Sequence, residues 1–312
     1  MPNPIVDILM ATYNGERYVA EQIESIQRQT YQDWRLLVSD DCSNDNTLGI
    51  VRSYLVSDPR IRIVSEGVHR GGARENFISL LLKSKSPYAM FCDQDDVWLP
   101  EKIEVSLSKL CSIEEPQPGT PCLVFTDMEV VDANLNRISP SFEKDSNIDP
   151  TRTSFPQVLA QSLGAGCTMM FNHPLVELMA RNCDYNGMIM HDHWATIVSA
   201  AFGRIGYVDR ALSLYRQHGD NTIGADKFSL VDRAVHLDRM KRRYIANVAQ
   251  AKAFLDIYEN ELNREQRKII QYYVATLHDT PIRSISDLFH SGCWKKGSRK
   301  IGQFFCAASI RI

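Results

Sequence analysis

Phe91-Cys92-Asp93-Gln94-Asp95-Asp96-Val97-Trp98 closes an apolar run and sets three carboxylates within four positions. Carboxylates this close repel one another, and a divalent cation bridging to phosphate oxygens is the usual reason to keep them together. The alternative is an acidic turn that caps a helix starting near Leu99-Pro100-Glu101. The neighbouring segments bear on that choice.

From Ile5 to about Asp127, short apolar runs alternate with amphipathic stretches, the pattern of strand-helix-strand units and a mainly parallel sheet. The spacing predicts strands at Val6 to Ala11, Arg35 to Ser39, Ile61 to Val64, Tyr88 to Cys92 and Cys122 to Thr126. Between them, Val19, Ile23 and Ile26 share a helical face, as do Leu48, Val51 and Leu55. Phe77 to Leu82 and the trio Ile103, Leu107 and Leu110 predict two more helices. In such a sheet ligands sit beyond the carboxyl ends of the strands, so the residues just after each strand are the place to look.

Polar groups gather at those tips. Thr12-Tyr13-Asn14 ends the first strand and Ser39-Asp40-Asp41-Cys42-Ser43 the second; each alone also reads as an ordinary turn. Gly71-Gly72-Ala73-Arg74 follows the third strand and offers a cation with a pliant backbone where a diphosphate would lie. No G-K-[ST] ending and no G-x-G-x-x-G occurs, which disfavours a P-loop hydrolase or a Rossmann dehydrogenase. Farther on, Met190-His191-Asp192-His193-Trp194 opens a predicted helix. Asp192 is an N-cap or a general base in this reading. Tyr215-Arg216-Gln217-His218 ends the last core strand, where His218 could meet a metal or a phosphate.

The remaining chain is read more coarsely. Asp132 to Pro156 is polar and reads as one long loop crossing to the acceptor side. Apolar blocks at Cys167 to Phe171, Trp194 to Phe202, Ile205 to Val208 and Ala211 to Tyr215 complete the core. From about Ala225 the tail reads as helices, with stripes at Val231, Val235 and Leu237, then Ile269, Ile270, Tyr273, Val274 and Leu277. The 312 residues, 44% hydrophobic and 23% charged, suffice for a full core. Neither a spanning helix nor a leader is expected. Eight scattered cysteines without a C-x-x-C pair read as reduced thiols of a cytoplasmic protein. The net charge of -3 hides an asymmetry: up to Gly224 there are 19 Lys and Arg against 29 Asp and Glu, and beyond it 16 against 9.

Taken together, Ala11-Thr12-Tyr13-Asn14-Gly15, Ser39-Asp40-Asp41-Cys42-Ser43, Asp93-Gln94-Asp95-Asp96-Val97-Trp98, His191-Asp192-His193-Trp194 and Tyr215-Arg216-Gln217-His218 resemble the family 2 glycosyltransferases, in particular the bacterial rhamnosyltransferase-like branch. The resemblance covers about residues 4 to 222. It implies an α/β fold of the GT-A type, a mixed sheet flanked by helices. A nucleotide-sugar half is expected at 1–127, an acceptor half at 128–224 and a basic helical extension at 225–312. It further implies that Thr12, Tyr13, Asn14, Asp40, Asp41, Arg74, Asp93 and Gln94 hold the nucleotide-sugar. Asp93, Asp95 and His218 would hold Mg2+ or Mn2+, with Asp95 as the direct ligand. Asp192 would be the catalytic base, and Gly166, His191, His193 and Trp194 would line the acceptor site. One departure stands out: the family's x-E-D reads Met190-His191-Asp192 here, without the glutamate.

The resemblance favours dTDP-rhamnose as donor, with UDP-galactose, UDP-glucose and UDP-acetylhexosamines as alternatives. A glycan on an undecaprenyl-diphosphate carrier is the expected acceptor, in the assembly of a surface polysaccharide. The missing Q-x-x-R-W sequence and membrane spans argue against a processive synthase. The intact acidic set argues against a binding or scaffold protein that has lost catalysis. The last segment interleaves Arg283, Lys295, Lys296, Arg299, Lys300 and Arg311 with Trp294, Phe304 and Phe305, which suits an anionic membrane surface, a solvated helix or a homodimer contact. No continuous basic groove for nucleic acid is expected.

Overall fold

Strand β1 (Val6–Thr12) is the axis of the sheet, and every one of its neighbours is parallel to it. The computed structural model describes residues 3–182, 184, 187–218 and 233–310. After β1 come α1 (Val19–Gln27), β2 (Trp34–Asp40), α2 (Thr47–Ser57), β3 (Ile61–Ser65) and α3 (Ala73–Leu81). They wind to one side of β1; β4 (Tyr88–Cys92) then docks on its other side. That reversal opens a crevice beyond the tips of β1 and β4, the place where such sheets bind ligands.

The second half changes direction. It holds β5 (Val97–Trp98), α4 (Lys102–Glu114), β6 (Cys122–Val131), β7 (Arg137–Ser139), α5 (Phe142–Asp145), α6 (Phe155–Ala160), β8 (Met169–Asn172), α7 (His173–Met179), α8 (His191–Phe202) and β9 (Arg204–Arg216). Among the described residues the strand order is β3-β2-β1-β4-β8-β6-β9-β5, with β7 on β6. β8 is antiparallel to both β4 and β6, β9 is parallel to β6, and β5 is antiparallel to β9. The sheet is therefore mixed. The tips of β4 and β9 come together because β5, directly after the acidic run, pairs Val97 with Leu214 and Trp98 with Ser213.

Sequence periodicity located the buried strands because they are apolar on both faces. Val6, Ile8, Leu9 and Met10 of β1 and Leu123, Val124 and Phe125 of β6 are fully buried. The expected single loop at 132–156 was wrong. It contains β7, α5 and the start of α6, which are held by short-range side-chain bonds rather than by an apolar stripe. Asp132 accepts from the backbone N–H of Asn134 (2.8 Å) and of Asn136 (2.9 Å), Ser141 caps α5, and Ser154 with Gln157 forms a capping box on α6.

The tail forms α9 (Arg233–Tyr258), α10 (Arg264–Ala275), α11 (Pro281–Ser291) and α12 (Arg299–Ser309). Asn263 and Gln266 box the start of α10, while Pro281 opens α11 and Gly292, at φ 70°, closes it. Of the expected stripes, Ile270, Tyr273 and Leu277 are buried; Val231 and the boundary near residue 224 lie outside the described residues. These helices share one apolar cluster with the sheet layer. Phe254 meets Phe155 at 5.9 Å and Trp194 at 5.4 Å between ring centroids.

Asp7, fully buried at the start of β1, accepts from Arg35 Nε (2.9 Å), Ser84 Oγ (2.9 Å) and the Ser86 backbone (3.1 Å), which ties the first strand to the approach to β4. Gly203 links α8 to β9 where a Cβ would stand 1.7 Å from the Pro121 carbonyl oxygen. Gly203→Ala is expected to destabilise the protein by about 3 kcal/mol, as backbone must move to admit the methyl. A urea midpoint unchanged from wild type would contradict that.

Candidate active site

The two strand tips at the crevice are locked together by one side-chain amide. Gln94 Oε1 accepts from the Tyr13 N–H and Gln94 Nε2 donates to the Tyr13 carbonyl, both at 2.9 Å. Gly15 is glycine for the same reason, since a Cβ there would fall 2.2 Å from Gln94 Oε1. Gln94, expected to touch the nucleotide-sugar, thus spends its amide on positioning. The Tyr13 ring remains exposed. Asn14 and Cys42 both adopt left-handed backbone, at φ 49° and 60°, on adjacent tips. Such conformations cost energy and persist where surrounding structure holds them.

The expected nucleoside residues divide into braces and a loop anchor. Asp40 is fully buried and accepts from Thr12 Oγ1 (2.8 Å), the Ser43 N–H (2.8 Å) and Ser43 Oγ (2.6 Å). Asn14 donates its N–H to Ser43 Oγ (2.9 Å) and accepts from the Asn44 N–H (2.8 Å). Asp41 reaches the other way, accepting from the Gly72 N–H (3.0 Å), from the Arg70 N–H and from His69 Nδ1 (3.3 Å). Arg74 pairs with its neighbour Glu75 and donates to the Met188 carbonyl, bridging the loop after β3 to the approach of α8.

The acidic run splits between two sides. Asp95 Oδ2 lies 2.9 Å from His218 Nε2. The contact is a hydrogen bond, and its length is also about the 3 Å that separates two donors on adjacent corners of an octahedral cation with bonds near 2.1 Å, so a cation could replace the shared proton with little movement. Asp93 turns instead toward Asp96 and Cys167, whose ligating atoms all lie within 4.8 Å of one another. Burial raises the Cys167 thiol above its ordinary range, so it stays protonated and suits no hard cation. Burial and the neighbouring Asp95 push Asp93 up to about 7. Burial also raises Asp96, with Asp95 and Asp93 adding to it. The carboxylate donor suits Mg2+ or Mn2+, and the imidazole of His218 suits the softer Mn2+ better than Mg2+.

The crowding is relieved by two buried cations. Arg216, 2% exposed, donates from Nε to the Asp95 carbonyl (2.9 Å), from its backbone N–H to Asp96 Oδ1 (3.2 Å) and from Nη1 to the Ala133 carbonyl (2.8 Å). Its second amino group reaches Glu21, and its guanidinium covers the Tyr18 ring, which also meets the His218 ring in a tilted contact at 4.8 Å. Lys102, fully buried at the start of α4, lies 5.0 Å from the Trp98 ring centroid, and burial lowers its pKa. Neither cation was singled out for a role from the sequence. The signal available was an invitation to ask what offsets Asp96, the third carboxylate.

Asp192 stands in the first turn of α8 and accepts from the His193 N–H (2.6 Å) and from the Gly166 N–H. Burial pushes it up to about 6, and its charge reaches Asp93, so the two carboxylates face one site from different elements. A Cβ on Gly166 would fall 2.8 Å from His191 Nε2 and 3.4 Å from Asp192 Cβ; glycine is what lets the 164–166 loop approach. His191 is 4% exposed, stacks on Phe77 at 4.1 Å and meets Phe91 edge-on at 4.5 Å. Burial pulls it down to about 3, so it is neutral.

His193 and Trp194 were expected at the acceptor site, and the structure turns both inward. His193 Nε2 donates to the Val158 carbonyl (2.7 Å) and Nδ1 accepts from Gln250 (3.0 Å), fastening α8 to α6 and α9. Trp194 is fully buried against Phe254 and Tyr258. Each residue advances about 100° around a helix, so the two that follow Asp192 leave its face.

Similarity to known proteins agrees with this arrangement. The family model described as glycosyl transferase family 2 matches residues 7–145. The dTDP-rhamnosyl transferase RfbG of Shigella flexneri is 30% identical over 270 residues, 82% of this chain and 88% of that protein. The UDP-Glc:alpha-D-GlcNAc-diphosphoundecaprenol beta-1,3-glucosyltransferase WfgD of Escherichia coli is 29% identical over 54% of this chain and 59% of that protein. Among solved structures, the mannosyltransferase PcManGT of Pyrobaculum calidifontis, in complex with GDP-Man and Mn2+, aligns at TM-score 0.54 and 16% identity, covering 93% of this chain and 74% of that one. With a β1–β4 crevice, a D-x-D run at its edge and a relative of this extent, the chain belongs to glycosyl transferase family 2 and is a glycosyltransferase of GT-A fold.

Proposed function

We propose that the enzyme is an inverting, metal-dependent transferase that moves a sugar from a nucleotide-diphosphate donor to a glycan hydroxyl. The reading is carried by Asp192 and Asp93 facing one site while Asp95 and His218 stand at ligand spacing beside it. Similarity to RfbG favours rhamnose from dTDP-rhamnose, with a UDP-hexose or UDP-acetylhexosamine as the alternative. Similarity to WfgD favours a diphosphoundecaprenol-linked acceptor, met at the inner face of the cytoplasmic membrane during surface polysaccharide assembly.

In this mechanism Asp192 takes the proton of the acceptor hydroxyl as that oxygen attacks the anomeric carbon, and the nucleoside diphosphate leaves from the opposite face. The His193 N–H holds Asp192 Oδ1 and fixes the carboxylate's orientation, and partial burial makes it a stronger base than an exposed aspartate. Asp95 and His218 would hold Mg2+ or Mn2+, with Asp93 turned to Asp96 and Cys167 beside them; when bound, the cation offsets the charge that develops on the leaving diphosphate. Arg216 keeps the Asp95 backbone in place throughout. Asp41 and the 70–74 loop would receive the nucleoside, with the exposed Tyr13 ring beside them.

Asp192→Asn is expected to leave nucleotide-sugar binding nearly intact and to lower turnover by about 100-fold or more. Turnover near wild type in a coupled release assay would remove Asp192 from the role. The base must be unprotonated, so wild-type kcat/KM should fall about tenfold per unit below pH 6 and level off above it. A profile flat down to pH 5 would refute that assignment. Asp95→Ala and His218→Ala should each weaken Mn2+-dependent stabilisation by nucleotide-sugars in a thermal-shift screen. Equal shifts with and without Mn2+ in wild type would end the metal reading.

A further inference from the structure

Five of the eleven exposed large hydrophobic side chains among the described residues lie on the last two helices. On α11, Ile282, Ile285 and Phe289 are 82%, 41% and 61% exposed and recur at i, i+3 and i+7. Ser284, Leu288 and Ser291 form the opposite, buried stripe. On α12, Ile301 and Phe305 are 74% and 49% exposed at i and i+4, while Gln303, Cys306 and Ala307 face inward. Each helix thus packs a face of small and polar residues with few large apolar ones into the protein and turns its large apolar side chains to solvent.

The two outer stripes are joined. Phe289 meets the Trp294 ring at 5.6 Å and Trp294 meets Phe304 at 6.3 Å, so aromatic side chains run from one helix to the other. Lys300 sits over Trp294 at 4.2 Å. The same segment carries the exposed Arg283 and Arg299, with Lys296 paired to Asp149, and Asp287 is the one acid within 281–310. An exposed apolar face of this extent, rimmed by cations and carrying a tryptophan, has the chemistry of an interfacial helix pair.

Its position also matters. The turn between α11 and α12 packs on the segment that leads into α6: Arg152 donates to the Trp294 carbonyl, Lys296 lies 3.5 Å from Asp149, and Gly292 faces Pro156. α6 is in turn fastened to α8, and so to Asp192, through His193 and Val158. The patch therefore flanks the acceptor half and not the acidic nucleotide tips.

We infer that the outer face of α11 and α12 is a docking surface for an anionic lipid bilayer. Charge complementarity selects the bilayer over a second copy of this chain. A two-fold contact would bring this cation-rimmed patch against a second copy of itself, positive against positive, while anionic headgroups meet Arg283 and Arg299 with opposite charge. The acidic first half, with 29 acids against 19 bases up to Gly224, is repelled by the same surface, which fixes the orientation. The inference deepens the lipid-linked acceptor proposed above: a transferase held by this face meets its acceptor in the plane of the membrane.

The test uses the full chain, without donor or acceptor, floated with vesicles of phosphatidylethanolamine and phosphatidylglycerol and, separately, of phosphatidylcholine alone. Wild type is expected to float with the anionic vesicles and to be released as salt approaches about 0.5 M. Phe289→Ser with Ile301→Ser should lower partitioning about tenfold or more. Arg283→Glu with Arg299→Glu should lower it at least about fivefold per charge, at an unchanged melting temperature. Wild type left at the bottom of the gradient overturns the inference. So does either double variant floating as well as wild type, or a wild-type dimer in light scattering that Phe289→Ser with Ile301→Ser splits, since a second copy then covers the face. None of these outcomes depends on turnover, so loss of the transferase reading would appear separately, in the Asp192→Asn assay.

Discussion

Arg216 is the interaction on which the site depends. Three carboxylates in a four-residue run repel one another, and nothing in the local backbone would keep them at one place. A buried guanidinium that donates to the Asp95 and Ala133 carbonyls, with the backbone N–H of the same residue on Asp96, converts that repulsion into a fixed loop. The same side chain terminates β9, so the strand that carries His218 is tethered to the run that carries Asp95. Lys102 adds a second buried positive charge from below. Guanidinium suits the task because its planar fork serves several acceptors at once.

The site is assembled by topology as much as by residues. β1 and β4 are paired neighbours between which the winding of the chain reverses, and Gln94 ties the segments beyond their tips with a reciprocal pair of hydrogen bonds. β5 contributes only Val97 and Trp98, yet its pairing with β9 brings together positions 95 and 218. On the far side, Gly166 lets a loop approach the start of α8 closely enough for its N–H to reach Asp192.

What could be read from sequence followed from strong periodicity. β1 to β4 were located within a residue or two, because buried parallel strands are long apolar runs, whereas α3 begins at Ala73, four residues before the expected start at Phe77. β5 and β7 went unseen, being short and set inside polar segments. In the site, residue types and their order singled out Asp93, Asp95, Asp192 and His218 as candidates, since the proposed chemistry needs such groups. The sequence could not say which polar side chains are consumed internally. Asp40, Thr12 and Gln94 look the same on paper whether they meet a ligand or a backbone N–H. His193 and Trp194 were misread because proximity in the chain to Asp192 was taken for proximity in space, while helical rotation turns them into the core. His191, in the place of the expected glutamate, is a neutral ring between Phe77 and Phe91, a packing role that its polar type did not announce.

The fastening of α8 by α9 has a consequence for biosynthesis. A chain made from its amino end exposes the donor-side strands first, and these can pair locally as they emerge. Asp192 gains its final seat only when Gln250 reaches His193 and Phe254 reaches Trp194, more than fifty residues later. A partly translated molecule would therefore hold the tips of β1 and β4 in place before α8 and its Asp192 are fastened.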